Sequence, residues 1–158
     1  MRGSPQISED LSELIGLLKS HDVEFIVVGA HALAFHGVPR FTEDIDFFIA
    51  RTEGNVSRLA EALAVFGVPL DAAARDDMVA KPRGVIFIGH KPNRADFLNF
   101  LDGVEFESAW QRRVTGPLAG VEVCFLSIED YQATKKASGR PKDAADLALL
   151  RATIDRDS

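Results

Sequence analysis

The sequence predicts an α/β (α+β) protein in which helices flank a mixed β-sheet. Short, continuously apolar runs such as 25–28 and 85–88 are typical of buried strands. Between them lie stretches with apolar residues at helical spacing, such as 53–66. The chain has 158 residues, 46% hydrophobic and 27% charged, which is typical of a folded globular protein. We therefore expect a single domain over residues 1–158 with one core.

The charge balance argues against extended contact with DNA. Acidic residues number 24 and basic residues 18, which gives a formal net charge of −6. The single cysteine, Cys124, lies in an apolar run, so we expect it in the core and the protein in the reducing cytoplasm. No stretch has the roughly 18 apolar residues that span a membrane. Residues 1–4 are interpreted as an expression-vector remnant.

The first half of the chain predicts three helices and two strands, followed by a weaker helix. Ser8 is a candidate N-cap of the first helix, which ends near His21. Gly29 marks the junction between the first strand and the helix that follows it. The elements are a helix over 8–21, a strand over 25–28, a helix over 30–35, a strand over 44–50, a helix over 53–66 and a weak helix over 71–80.

The second half predicts a strand hairpin, a short helix, a last strand and two C-terminal helices. The turn-rich segment 89–93 separates the hairpin strands. Ser127 and Asp130 form a helix-capping pattern, Gly139 ends that helix and Pro141 suits the first position of the next. The ranges are strands over 85–88 and 95–100, a helix over 106–113, a strand over 121–126 and a helical pair over 127–155.

Two acidic residues on the second predicted strand are candidate metal ligands. Residues two apart on a strand point the same way, so Asp44 and Asp46 share one face. Two neighbouring carboxylates repel each other unless a cation lies between them, and Mg²⁺ prefers such oxygen ligands. The alternative interpretation is a pair of polar residues on a half-exposed strand end.

Asp96 is the candidate third acid, because it is one carboxylate within an otherwise apolar strand. If its strand neighbours that of Asp44 and Asp46, the three carboxylates can hold two metal ions for phosphoryl transfer. Asp96 would then be a metal ligand or the base that activates an acceptor hydroxyl. Asp102 or Glu105 takes this place under a different strand register.

Gly29 and Ala30 are candidate phosphate-binding residues. They lie where the first strand meets a helix, and backbone N–H groups at such a junction favour an anion. The absent side chain of Gly29 leaves room for a phosphate to approach. Together with the acids, these residues predict a triphosphate site.

This pattern resembles the minimal nucleotidyltransferases of the polymerase-beta type, whose hallmark is Gly-Ser or Gly-Gly at a strand end, Asp-x-Asp, and a third Asp on a later strand. Here these positions are Gly29-Ala30, Asp44-Ile45-Asp46 and Asp96. The sequences of 28–33 and 37–46 are similar to those of the bacterial branch that includes abortive-infection toxins and small antibiotic nucleotidyltransferases. Ala30 departs from the pattern, since it lacks a serine hydroxyl.

A second block near the C-terminus is similar to the same branch. The branch has a lysine followed by Arg-x-Lys-Asp-x-x-Asp-Leu, and here Lys135 and 140–147 match it. The resemblance implies that Lys135 and Arg140 bind phosphate, with Asp143 holding these cations in place. Near a helix C-terminus, the same cations also suit the helix dipole without any ligand.

The resemblance implies a Mg²⁺-dependent transfer of a nucleoside monophosphate from a nucleoside triphosphate to a hydroxyl. Two Mg²⁺ ions are expected, with Mn²⁺ as a substitute. The acceptor would be a tRNA, a protein or a small molecule, and a toxin would have a cognate antitoxin protein as partner. Arg40 and Thr42 are candidate nucleotide contacts in this scheme, or ordinary loop residues.

Two other functions remain open at this point. A non-catalytic module that retains the fold to bind a nucleotide or a partner is favoured by Ala30. A metal-dependent phosphohydrolase would use the same acids with water in place of an acceptor.

Overall fold

The computed structural model describes residues 9–39, 41–91 and 93–157. Within them, six strands form one mixed sheet with seven helices, which confirms the predicted fold class. The strands are β1 (Phe25–Val28), β2 (Asp44–Ile49), β3 (Val85–Ile88), β4 (Arg94–Leu98), β5 (Val114–Leu118) and β6 (Val121–Phe125). The helices are α1 (Glu9–Ser20), α2 (Gly29–Phe35), α3 (Glu53–Phe66), α4 (Ala72–Ala80), α5 (Phe106–Gln111), α6 (Ile128–Ser138) and α7 (Pro141–Asp157).

The sheet has the strand order β3-β4-β2-β1-β6-β5. β2 pairs with β4 in parallel and β1 with β6 in parallel, whereas the other three pairs are antiparallel. The predicted hairpin of β3 and β4 is confirmed. The four residues of β1 are all buried, as its continuous apolar sequence predicts for a central strand.

The register of the central strands places the predicted acids and two phenylalanine rings on opposite faces of the sheet. Asp46 pairs with Asp96 and Phe47 with Phe97, so alternation places the acids on one face of the sheet and these two rings on the other. We call the first face the acid face. Phe48 shares it and contacts Phe106 of α5 at a ring-centroid distance of 5.1 Å, so α5 packs on the acid face.

The helix ends agree with the capping residues of the sequence. The Asp130 backbone N–H donates to the Ser127 hydroxyl at 3.0 Å, so Ser127 caps α6. Gly139 ends α6 with a left-handed φ of 66°, and Pro141 begins α7. This tight connection sets the start of α7 directly against the end of α6. No helix among the described residues is long and apolar enough to cross a membrane.

One strand was not predicted and one expectation needs correction, whereas others lie outside the described residues or stay predictions. β5 was not predicted, because Gly116 and Pro117 break its strand pattern; both are tolerated since β5 is an edge strand. Cys124 is half-buried on β6, so the expectation of a core cysteine is wrong. Ser8 and residues 1–4 lie outside the described residues, and the single-domain organisation over 1–158 stays a prediction.

Candidate active site

The register of β2 and β4 brings the three predicted acids together. Asp44 pairs with Arg94 and Asp46 with Asp96 across the two parallel strands, so all four side chains share the acid face. One carboxylate oxygen from each of Asp44, Asp46 and Asp96 lies within 4.8 Å of the others. We call these three residues the acid cluster. Its geometry depends on the β2–β4 pairing, which no local sequence pattern fixes.

Burial and crowding disfavour the ionised form of Asp46 within the acid cluster. Burial is the largest cause that raises the pKa of Asp46 to about 7, and the charges of Asp44 and Asp96 add to it. The charge of Lys135 acts in the opposite direction. Asp96 itself is 6% exposed. These oxygen ligands fit a divalent cation such as Mg²⁺, which prefers oxygen donors. Its positive charge would offset the repulsion between the carboxylates.

Gly29 allows the turn at the end of β1 to approach the acid cluster. Its φ is +70°, a left-handed conformation that favours glycine. A Cβ atom at this position would overlap the Oδ2 atom of Asp46. The first backbone N–H groups of α2 lack intrahelical acceptors, as at any helix start, and its N-cap residue Val28 gives them no side-chain hydrogen bond. Glycine is therefore required here both for backbone conformation and for space.

Thr42 orients Asp44 instead of standing free in the loop. Its hydroxyl donates to the Asp44 backbone carbonyl at 2.9 Å, and it lies 3.1 Å from Asp44 Oδ1. The Asp44 backbone N–H in turn donates to the Thr42 hydroxyl at 3.3 Å. These contacts orient the carboxylate at the start of β2, and the nucleotide contact predicted for Thr42 stays a prediction.

Arg94 is a site residue that the sequence analysis missed. Its Nε donates to Asp96 Oδ1 at 2.8 Å, and its Nη2 donates to Asp96 Oδ2 at 3.0 Å and to Asp44 Oδ2 at 3.2 Å. The guanidinium carbon lies 4.6 Å from the ring centroid of Phe87 on β3. The spacing Arg-x-Asp within a strand was the available signal, because it puts both side chains on one face.

Lys135 and Arg140 converge on a single buried carboxylate at the α6–α7 connection. Asp143 accepts from Lys135 Nζ at 2.9 Å and from Arg140 Nε at 2.7 Å, and the Ser138 hydroxyl also donates to it. Burial by itself would raise the pKa of Asp143, but these donors and the Lys135 charge outweigh it and lower the pKa to about 2. Asp143 thus holds both cations in place, and Lys135 also lies 4.0 Å from Asp146.

Two cavities meet at the acid cluster. Each has a volume of about 270 Å³, and both are lined by Gly29, Asp46 and Lys135. Arg140 lines both cavities as well. One cavity is polar and extends to Asp44, to Thr42 and to a further cation, Lys142. The other runs between β4 and α6, where its walls include the more apolar Leu98, Phe100, Leu101 and Tyr131. Asp46 and Lys135 therefore lie where a polar and a more apolar cavity join.

Not every candidate residue belongs to this arrangement. Among the described residues, the acid cluster includes Asp96, whereas Asp102 pairs with Arg83 at 2.8 Å and Glu105 is exposed. Ala30 lines the polar cavity. Arg40 lies outside the described residues, so its predicted nucleotide contact stays a prediction.

Comparisons with known proteins identify the family and a similar fold. The sequence matches the family described as "Nucleotidyltransferase of unknown function (DUF6036)" over residues 5–156. It matches none of the curated proteins. The fold is similar to that in the crystal structure of ANT(2″)-Ia in complex with adenylyl-2″-tobramycin, with a TM-score of 0.55 and 14% sequence identity over 91% of this chain and 87% of that chain. The likeness to nucleotidyltransferases is thereby confirmed.

Proposed function

Since the chain belongs to the nucleotidyltransferase family DUF6036, we propose that it transfers a nucleoside monophosphate from a nucleoside triphosphate to a hydroxyl acceptor in a Mg²⁺-dependent reaction. The observation that carries the proposal is the acid cluster, with its three carboxylate oxygens within 4.8 Å of one another. Its members come from two strands that are distant in sequence and adjacent in space. A purely structural role would not require three acids on one half-buried surface, where they repel one another.

Asp44, Asp46 and Asp96 would hold the Mg²⁺ ions. When bound, such ions neutralise phosphate charge and favour the deprotonated form of the acceptor hydroxyl, which is the nucleophile. Asp96 is the residue proposed to accept the proton of the acceptor hydroxyl. The acceptor oxygen forms a bond to the α phosphorus, the bond from that phosphorus to the bridging oxygen breaks, and pyrophosphate leaves with the electron pair.

The polar cavity is the proposed site of the triphosphate. Lys135 and Arg140 both line it and carry positive charge next to the acid cluster. The N–H groups of Gly29 and Ala30 would donate to phosphate oxygens, and backbone donors do not need the serine hydroxyl that Ala30 lacks. Thr42 supports the site by orienting Asp44. Arg40 is proposed as a further nucleotide contact from its sequence position alone.

The acceptor is proposed to be a hydroxyl of a tRNA, a protein or a small molecule. The complex of ANT(2″)-Ia contains adenylyl-2″-tobramycin, which favours a small hydroxylated molecule as the first acceptor class to examine. A role as a toxin with an antitoxin partner rests on sequence resemblance alone.

Label transfer tests the proposed reaction. The protein is incubated with Mg²⁺, each α-labelled nucleoside triphosphate, and separate fractions of tRNA, protein and small molecules. We expect label in one acceptor class together with stoichiometric pyrophosphate, and neither with Asp44→Asn or Asp46→Asn. As a matched control, Asp77→Asn removes an exposed acid on α4 and should leave transfer unchanged.

Two other outcomes would replace the proposal. Mg²⁺-dependent nucleotide binding without pyrophosphate release in any acceptor fraction would identify a non-catalytic binding module, which the absence of a hydroxyl at Ala30 favours. Hydrolysis of the nucleotide without label in any acceptor would identify a phosphohydrolase.

A further inference from the structure

Arg94 lies on β4, next to the edge strand β3, and contacts two members of the acid cluster. Two of its guanidinium nitrogens, Nε and Nη2, donate to both carboxylate oxygens of Asp96 and to one oxygen of Asp44. The paired geometry with Asp96 is the strong, planar form of an arginine–carboxylate contact. Arg94 therefore links two members of the acid cluster that lie on different strands.

A guanidinium and a divalent cation bind carboxylates differently, and both cannot bind the same oxygens at once. Arginine has only donors and keeps its positive charge at all accessible pH values, so it can never become a metal ligand. A cation bound to Asp44 and Asp96 would lie close to the guanidinium and repel it. The two cations therefore compete for the same negative charge.

We propose that Arg94 is a positioning residue that holds Asp44 and Asp96 together before metal binds, and that a divalent cation displaces it from these carboxylates. The inference rests on the metal site of the proposed function. In the metal-free protein, Arg94 offsets part of the repulsion within the acid cluster and keeps the oxygens close to one another. Metal binding without nucleotide is weakened, because the ion has to break the contacts of Arg94.

The surroundings of Arg94 allow this displacement. Its side chain is 27% exposed, so one side is open to solvent. The Phe87 ring lies beneath the guanidinium at 4.6 Å and is itself 58% exposed. An arginine over an aromatic ring retains a favourable partner after it leaves a carboxylate. Phe87 thus remains a partner of Arg94 when its contacts with the carboxylates are lost.

Mn²⁺ binding without nucleotide tests the proposal directly. The electron paramagnetic resonance signal of free Mn²⁺ is titrated with the full-length wild-type protein, Arg94→Gln, Arg94→Lys and Arg75→Gln. Competition predicts that Arg94→Gln lowers the Kd for Mn²⁺ by about tenfold or more, because the opposing charge is gone. Arg94→Lys retains the charge but loses the paired hydrogen bonds, so its Kd should fall by less. Arg75→Gln is the matched control on the exposed face of α4 and should leave the Kd unchanged.

Thermal unfolding supplies a second readout. In EDTA, the Tm of Arg94→Gln should lie below that of the wild type, and saturating Mn²⁺ should raise it by more than it raises the wild-type Tm. If Arg94→Gln does not fold, Arg94→Lys decides by the direction of its change in Kd. Equal or weaker Mn²⁺ binding by these variants would overturn the role of Arg94 while leaving the proposed function intact. Absence of Mn²⁺ binding by all four proteins would refute the metal site and the Arg94 proposal together.

Discussion

Asp46 lies so close to Gly29 that a Cβ atom at position 29 would overlap its Oδ2 atom. The end of β1 and the middle of the acid cluster are thus in direct contact. A side chain at position 29 would have to displace either the Asp46 carboxylate or the turn that contains Gly29. The phosphate-binding turn proposed at the end of β1 and the acid cluster would then move apart.

Gly29→Ala is expected to impair both stability and transfer. The left-handed backbone costs an L-residue about 1–2 kcal/mol, and the displaced Asp46 carboxylate should reduce nucleotide transfer by about a hundredfold. Urea unfolding and label transfer measure the two effects. Gly120→Ala is the control, because Gly120 has a similar φ of +78° with no atom near a built Cβ. Equal loss of transfer in both variants would contradict the proposed contact.

Removing two members of the acid cluster should abolish nucleotide binding without unfolding the protein. The double variant Asp44→Ala with Asp46→Ala loses metal ligands but also loses a repelling pair. We expect no Mg²⁺-dependent heat of nucleotide binding in calorimetry. In EDTA, the free energy of unfolding from urea titration should be equal to or higher than that of the wild type, since Arg94 still pairs with Asp96.

The matched control is Asp76→Ala with Asp77→Ala, two exposed acids of α4. It changes the net charge equally and should leave nucleotide affinity unaltered. Unchanged nucleotide affinity in the Asp44 and Asp46 double variant would count against the metal site.

Local sequence patterns predicted most of the fold, since most elements carry their own signals. The bounds of α3 and β3 follow from helical spacing and a short apolar run, and the end of α6 follows from Gly139. β5 carries no such signal. Its Gly116 is required because a Cβ there would overlap the Phe35 ring, a contact between distant parts of the chain that local patterns do not contain.

Strand alternation and the family resemblance predicted the residues of the candidate site, but not all of the contacts between them. Alternation predicts that Asp44 and Asp46 share a face, but only the β2–β4 pairing brings Asp96 beside them. The link from Arg94 to Asp44 depends on that same pairing. The cytoplasmic location and the number of bound ions stay predictions, because no contact of the folded chain bears on them.

Replacing Lys135 should weaken binding of the phosphates more than binding of the nucleoside. Lys135 lines both cavities at the acid cluster, and a hydrogen bond from a charged group contributes about 1.5–3 kcal/mol. We therefore expect Lys135→Gln to raise the Kd for nucleoside triphosphate by about ten- to a hundredfold, with little change for the nucleoside lacking phosphates. Calorimetry with both ligands measures the difference.

Lys136→Gln is the control for this experiment, because Lys136 is the adjacent, exposed lysine of the same helix turn. It should bind both ligands as the wild type does. A similar loss of affinity for nucleoside and triphosphate in Lys135→Gln would indicate that the lysine supports the cavity wall and does not contact phosphate.

Asp143 should stabilise the fold in a manner that depends on pH. Its pKa is lowered from 3.8 to about 2 in the folded protein, so the folded state favours the ionised carboxylate. This stabilisation is present above about pH 4 and is lost as the pH falls through about 2. A shift of this size corresponds to about 2 kcal/mol. Asp143→Asn should therefore lower the free energy of unfolding by about that amount at pH 7 and by much less near pH 2.

Urea unfolding at a series of pH values checks this dependence. Asp77→Asn provides the comparison, because Asp77 pairs with Lys81 at 3.3 Å with both side chains more than half exposed. An exposed pair of this kind contributes less than about 1 kcal/mol, so its loss should change stability little at any pH. If Asp143→Asn behaves like Asp77→Asn at pH 7, the buried carboxylate does not hold Lys135 and Arg140 in the way that its hydrogen bonds indicate.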